Sequence, residues 1–359
     1  MGFFDFINRI LKRDQKRLPE AKYKTENRVK SGPPKSYDDA RKFNNSVKID
    51  YIPKPDTLEF AIEQYLASLS YQTQNGEFYS PYNALVALCS IDNSVAGNNA
   101  RNETELLKRI EKDKKSFVFS QSNLNGDVFY RHISHGSHKS KDEYRLYINC
   151  KRENIAALAR KFIDELGDSE YYFKFCADEH ANKKRRSEQF VFYLGSDEIE
   201  MNNILQAIER TRQKNPKLFE ASRNVNPFMR KLTDYIGYAP EVEGKFVNLH
   251  GQTIPISESY NTLLSEALDD AFYHSVKEVV ARDLELSKKV KGECFKTSKE
   301  YVQKILPEIL GNRPDSLKKL VTSMKTDLVT LSRLNPELQI KGVTLEKKKD
   351  RSHNVEEKI

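Results

Sequence analysis

Tyr171-Tyr-Phe-Lys-Phe-Cys176 and Gln189-Phe-Val-Phe-Tyr-Leu194 are two runs of aromatic and β-branched residues, and between them stands Lys183-Lys-Arg-Arg186. Such residues suit the pleated, half-buried surface of a strand, so the segment predicts paired strands with a basic loop at their end. A lysine inside an apolar run must reach either the solvent face or a polar cavity, which makes Lys174 the residue to explain. A basic loop closing paired strands, with a lysine beside it, is one way to hold an anion. The pattern equally describes an edge hairpin whose charges keep it soluble, and the residues alone leave both readings open.

The 359 residues suffice for one large domain or two. Mean hydropathy is −0.72 and 31% of residues are charged. No run approaches the roughly 18 apolar residues of a membrane helix, so no membrane span is expected. Cys89, Cys150, Cys176 and Cys294 lie far apart, with neither CxxC spacing nor a dense disulfide framework. A reducing compartment follows, and the chain is expected to be cytoplasmic where it is made. The opening Met1 to Arg9 interrupts its apolar run with Asp5 and turns basic after it, the wrong order for a secretory signal. Gly2 invites N-myristoylation, but Phe6 stands where Ser or Thr is needed.

Charge is concentrated at one end. Residues 9–48 hold thirteen Lys or Arg against five Asp or Glu, and the remaining positions carry 47 of each sign. A neutral body argues against a nucleic-acid-binding surface, which needs its basic patch on the fold. Residues 1–50 read as a basic arm, disordered or extended until a partner such as a secretion chaperone or host protein binds it. Phe3, Phe4, Phe6, Ile7, Ile10 and Leu11 form an amphipathic opening too short to hold a helix alone.

From Asp56 the pattern becomes globular. Leu58, Ile62, Tyr65, Leu66 and Leu69 recur at helical spacing, and Pro81 to Cys89 reads as a second helix. Arg101 to Lys115 reads as a charged helix. Phe117-Val-Phe119 and Val128-Phe-Tyr130 read as strands about an Asn125-Gly126 turn. Asp142 to Cys150 follows as a strand, then a helix with Ile155, Leu158, Phe162 and Leu166 on its apolar face, which Gly167 can end. The order strand, helix, strand, strand, helix is completed by Ile204, Leu205 and Ile208. A longer helix carries Tyr260 to Phe272, and beyond Gly292 the chain reads as helical. The expected fold is α+β (or α/β): a helical region at 56–116, a central mixed sheet with packed helices at 117–285, a helical C-terminal extension at 293–345 and a charged tail at 346–359.

Tyr144-Arg-Leu-Tyr-Ile-Asn149, a helix, Tyr171-Tyr-Phe-Lys174, Arg186-Ser-Glu188, Val191-Phe-Tyr193, Phe228-Met-Arg-Lys-Leu232, Gly237-Tyr-Ala239 and Glu266-Ala-Leu268 follow in an order and spacing that resemble the Hop-A type effector family. That family includes type III effectors of plant pathogens and related lyases of lanthipeptide biosynthesis. The resemblance covers about a third of the chain. Where the family usually carries Ser-Phe-Gly and an arginine before Glu-Ala-Leu, this chain reads Pro255-Ile-Ser257 and Tyr260.

The resemblance implies a phosphoserine or phosphothreonine lyase acting on a protein or peptide, secreted into a host cell by a specialised system. Elimination of phosphate needs a base for the α-proton, cations for the departing phosphate and an acid to protonate it. Lys174 matches the family's lysine and takes the role of base. Arg145 and Arg186 match family arginines and would clamp phosphate, with Arg185 beside them, Glu188 orienting Arg186, and Tyr147 in support. His132 and His135, with His138, are the histidines available as acid. Strand alternation would place Arg145 and Tyr147 on one face and Lys174 at the end of a neighbouring strand. The alternative function is a non-catalytic effector that binds a host or chaperone protein.

Two further patterns bear on metal and nucleotide chemistry. His132, His135 and His138 fall neither on one strand face nor on one helix face, and no carboxylate completes a set, so no metal and no cofactor are expected. His274 and Glu278 stand at i and i+4 on a helix, a geometry that a nucleotide-using transferase also employs. An exposed pair beside a buried Val276, Val279, Val280 stripe is the plainer account.

Overall fold

The computed structural model describes residues 57–74, 79–88, 112, 117–121, 128–133, 143–150, 154–167, 169, 171–176, 189–195, 197–219, 226–233, 235–292 and 295–343. The basic arm, the Asn125-Gly126 turn, the charged tail and, apart from Lys112, the helix expected over 101–115 lie outside the described residues. Within them the helices are α1 (Leu58–Gln74), α2 (Pro81–Ala87), α3 (Ile155–Leu166), α4 (Glu198–Lys214), α5 (Tyr260–Arg282), α6 (Leu284–Val290), α7 (Ser298–Lys304), α8 (Leu306–Asn312) and α9 (Pro314–Leu334). The strands are β1 (Phe117–Gln121), β2 (Val128–Ile133), β3 (Tyr144–Ile148), β4 (Tyr172–Cys176), β5 (Phe190–Leu194), β6 (Arg230–Thr233), β7 (Ile236–Pro240), β8 (Lys245–Val247) and β9 (Thr253–Pro255).

Seven strands form one sheet in the order β1-β2-β4-β5-β3-β7-β6, and β8 with β9 makes a separate ribbon. The fold is α+β, and the mixed sheet expected from the sequence is corrected: every pairing is antiparallel. The cause lies in the middle of the sheet. Helix α3 returns the chain so that β4 runs parallel to β3, but β5 enters between them and pairs antiparallel with both, the split β-α-β arrangement.

One face of the sheet is nearly all aromatic and aliphatic. Leu146, Ile148, Phe173, Phe175, Phe190 and Phe192 alternate onto it and pack beneath Leu158, Phe162 and Ile163 of α3 and Ile204 and Ile208 of α4. The Phe162 ring stands edge-on to Phe190 and Phe192, centroids 5.3 and 5.2 Å away, a favoured aromatic geometry. Helix α3 ends where Gly167 adopts φ +54° and donates its N–H to the Ile163 carbonyl, a conformation that costs glycine nothing. Asp197 starts α4 by accepting from the N–H groups of Ile199 and Glu200 at 2.8 and 3.3 Å. Asp197→Ala should therefore lower stability by about 1 kcal/mol, read as a lower urea midpoint with an unchanged slope; an unchanged midpoint would show that the cap contributes nothing.

The opposite face meets the other helices. Tyr147, Val191, Tyr193 and Ala239 join one apolar cluster with α1, α2, α5 and the C-terminal helices. Helix α5 lies at its centre with Leu263, Leu264, Leu268, Phe272 and Val276 buried, and α9 packs along it through Leu320, Met324 and Leu328. The expected Val276, Val279, Val280 stripe is buried. Asn335, after α9, ties this layer to the ribbon by accepting from the Val247 N–H and donating to its carbonyl.

Candidate functional site

Register decides which predicted residues meet. Residues opposite one another in an antiparallel pair share a face. Arg145 is opposite Tyr193, and Tyr193 is opposite Tyr172. Tyr147 is opposite Val191, and Val191 is opposite Lys174. Arg145, Tyr147 and Lys174 therefore share the face turned toward α5. One expectation is corrected here: Lys174 is not on a strand next to Arg145, because β5 lies between β3 and β4. Tyr193 fills that gap. Its ring stacks on Tyr172, centroids 4.4 Å apart, and receives both cations, the Arg145 guanidinium carbon at 5.1 Å and Lys174 Nζ at 5.5 Å. A cation this close to a ring face is held by the ring's quadrupole.

Arg145 is buried, and its Nε and Nη2 donors are engaged. Nε gives a 2.6 Å bond to Glu241 Oε2, Nη2 bonds Glu241 Oε1, and Nη2 also donates to the Glu258 carbonyl at 3.0 Å. Burial opposes the guanidinium charge, but the paired Glu241 outweighs it and raises the Arg145 pKa. Arg145 is thus oriented by a fork-shaped carboxylate pair, a different condition from the open phosphate clamp anticipated in sequence. Glu241 follows β7 directly, and no sequence pattern announced it.

The remaining predicted residues divide into those with a described place and those without. His132 lies in β2 at the register position of Phe173, whereas Arg131 is the register partner of Lys174. The row that carries Lys174 therefore continues into Arg131, not into the expected acid. His135, His138, Arg185, Arg186 and Glu188 lie outside the described residues. Tyr260, standing where the family places an arginine, is a core residue at the start of α5 and donates to the Gln339 carbonyl at 3.0 Å. Among the described residues no group of His, Cys, Asp or Glu is arranged to hold a metal ion.

His274 and Glu278 bind the neighbouring helix. His274 Nδ1 lies 3.0 Å from Asp327 Oδ2, an oxygen that also accepts from Ser275 Oγ at 2.7 Å. Glu278 accepts from Ser323 at 3.5 Å and lies 3.8 Å from Arg282. Both side chains thus tie α5 to α9 or to its own next turn.

The sequence pattern of the HopA1 effector protein family matches residues 120–276. That span runs from β1 into α5 and includes Arg145, Tyr147, Lys174, Tyr193 and Glu241, so the resemblance read from residues 144–268 falls wholly within it. A search of curated proteins finds no match. Among solved structures, the chain is similar to the effector protein from Pseudomonas syringae pv. syringae strain 61, at 14% identity and TM-score 0.41, covering 79% of this chain and 97% of that one. It is also similar to the effector protein from Pseudomonas syringae pv. tomato strain DC3000, at 13% identity and TM-score 0.40, covering 72% and 97%. No helix among the described residues is long and apolar enough to cross a membrane.

Proposed function

We propose that this chain, whose residues 120–276 match the HopA1 effector protein family, is an effector delivered into a host cell, where it removes phosphate from phosphoserine or phosphothreonine by β-elimination. The observation that carries the reading is the placement of Lys174 and Arg145 on one sheet face, both against the Tyr193 ring. In this reading the neutral Lys174 amine takes the proton from Cα of the phosphorylated residue. The electron pair left behind forms the Cα–Cβ double bond, and the Cβ–O bond breaks with its pair leaving on phosphate. Arg185 and Arg186 of the basic run hold the departing charge, and His135 supplies its proton; His132, in register with Phe173, belongs to the other sheet face. Arg145, held by Glu241, packs against the Tyr193 ring that Lys174 also contacts, and so fixes the surface on which the amine rests.

A second reading rests on that same Arg145–Glu241 pair. An arginine already matched by a carboxylate has less to offer a phosphate, which favours an effector that binds a host protein without chemistry. Incubation with a phosphothreonine peptide separates the two. Elimination leaves a product lighter than the substrate by one phosphoric acid, able to add a thiol. Hydrolysis would restore the threonine hydroxyl and leave nothing for a thiol to attack. An unchanged peptide together with retention of a host protein would favour the binder.

A further inference from the structure

Between the first turns of α2 and α5 lies a cavity of about 460 Å³ to which the elimination chemistry assigns no role. Its walls include Tyr79, Ser80, Ser257, Thr262, Ser265 and Glu266. A hydroxyl carries one donor and two acceptor lone pairs, and here several donors are already spent. Tyr79 donates to Asp269. Ser265 donates to the Thr262 carbonyl at 2.9 Å, and Ser257 and Thr262 share one hydrogen bond of 2.8 Å. Ser80 Oγ accepts from the Asn83 N–H at 3.1 Å, so these walls turn both lone pairs and remaining O–H donors to a ligand, and the sign of the charge they favour is set by Glu266, the one carboxyl among the lining residues.

Glu266 has no hydrogen-bond donor or cation against its carboxyl among the described residues. Burial first, then Asp269 and Asp270, raises its pKa, the direction expected of a carboxyl without a counter-ion. Tyr65, fully buried, stands in the field of Tyr79, Asp269 and Glu266, and its hydroxyl has no hydrogen-bond partner among the described residues. One feature pulls the other way: Ser259, at the start of α5, makes no side-chain cap bond, and a helix N-terminus attracts anions. Its pull equals about half a charge, however, against the nearby carboxyls of Glu266, Asp269 and Asp270. The balance favours a cation.

We infer that this cavity binds a primary ammonium or guanidinium group, such as the side chain of a lysine or arginine in a peptide, with Glu266 as its counter-ion and the surrounding hydroxyl oxygens as acceptors. The assignment stands whether or not the sheet face is catalytic. It is tested on the full chain by NMR titration with butylamine, butylguanidinium and, separately, inorganic phosphate at constant ionic strength. The cationic probes should give saturable shifts at amides 257–266, with affinity weakened at least tenfold in Glu266→Gln. Thr262→Lys, which sets a lysine at i to Glu266 at i+4 on the cavity wall, should abolish probe binding by occupying the site from within. Glu278→Gln, on the outer part of α5, should change nothing. Saturation by phosphate instead of the cations, absence of any saturable shift, or equal affinity in Glu266→Gln would each overturn the assignment.

Discussion

Lys174→Met should lower the release of phosphate from a phosphothreonine peptide by about 10²–10⁴-fold, the usual contribution of a general base, with the melting temperature nearly unchanged. Lys174 is half-buried, and methionine keeps the unbranched stem while removing the amine. The loss should fall on kcat, because the amine is used when the proton moves and phosphate is held elsewhere. Arg186→Ala supplies the contrast: it should weaken binding by roughly 1.5–3 kcal/mol, the worth of a charge-assisted hydrogen bond, and so raise KM. Equal turnover in Lys174→Met and the parent protein would remove Lys174 from the chemistry and leave the non-catalytic effector as the better account.

What the sequence made legible follows from the range of the interactions involved. Alternation over Asp142 to Cys150, the aromatic and β-branched run Phe190–Leu194 and the 3.6-residue stripe of α3 are local, so the strands and helices around the site could be read directly. Gly167 ends α3 as its position suggests. The insertion of β5 between β3 and β4 depends on pairing partners distant in sequence, and with it went the neighbourhood of Lys174 and the antiparallel character of the sheet. Tyr193 was readable as a strand residue, but its place between two cations required the register. Glu241 could not be found at all, since a single glutamate after a short strand is indistinguishable from a solvated charge until Arg145 reaches it. His274 and Glu278 show the converse: a suggestive spacing resolves into ties to Asp327 and Ser323 once α9 packs alongside.

The stability of the protein should fall between pH 4.5 and pH 8, and Glu63→Gln should remove most of that fall. Glu63 lies in α1 at 5% exposure, and its Oε1 has no hydrogen-bond partner among the described residues. Burial raises its pKa from 4.5 to about 8. The folded protein therefore holds a proton that the unfolded chain gives up. Below the unfolded value, near 4.5, both states are protonated and the stabilisation is fully present. As pH rises toward the folded value the unfolded chain ionises first, and stability drains until both forms are charged above about 8. A shift of this size corresponds to about 5 kcal/mol. Glu266, Asp269 and Asp270 shift in the same direction, whereas Glu59 and Asp283 shift in the opposite one, so the parent curve alone cannot isolate Glu63. The difference between parent and variant can. Urea unfolding should show the two nearly equal at pH 4, where a protonated glutamic acid and a glutamine are close in shape and charge, and the variant more stable by several kcal/mol at pH 9. Parallel curves across this range would mean that Glu63 ionises as freely in the folded protein as in the unfolded chain, which a side chain so far from water can do only if a donor or cation reaches it.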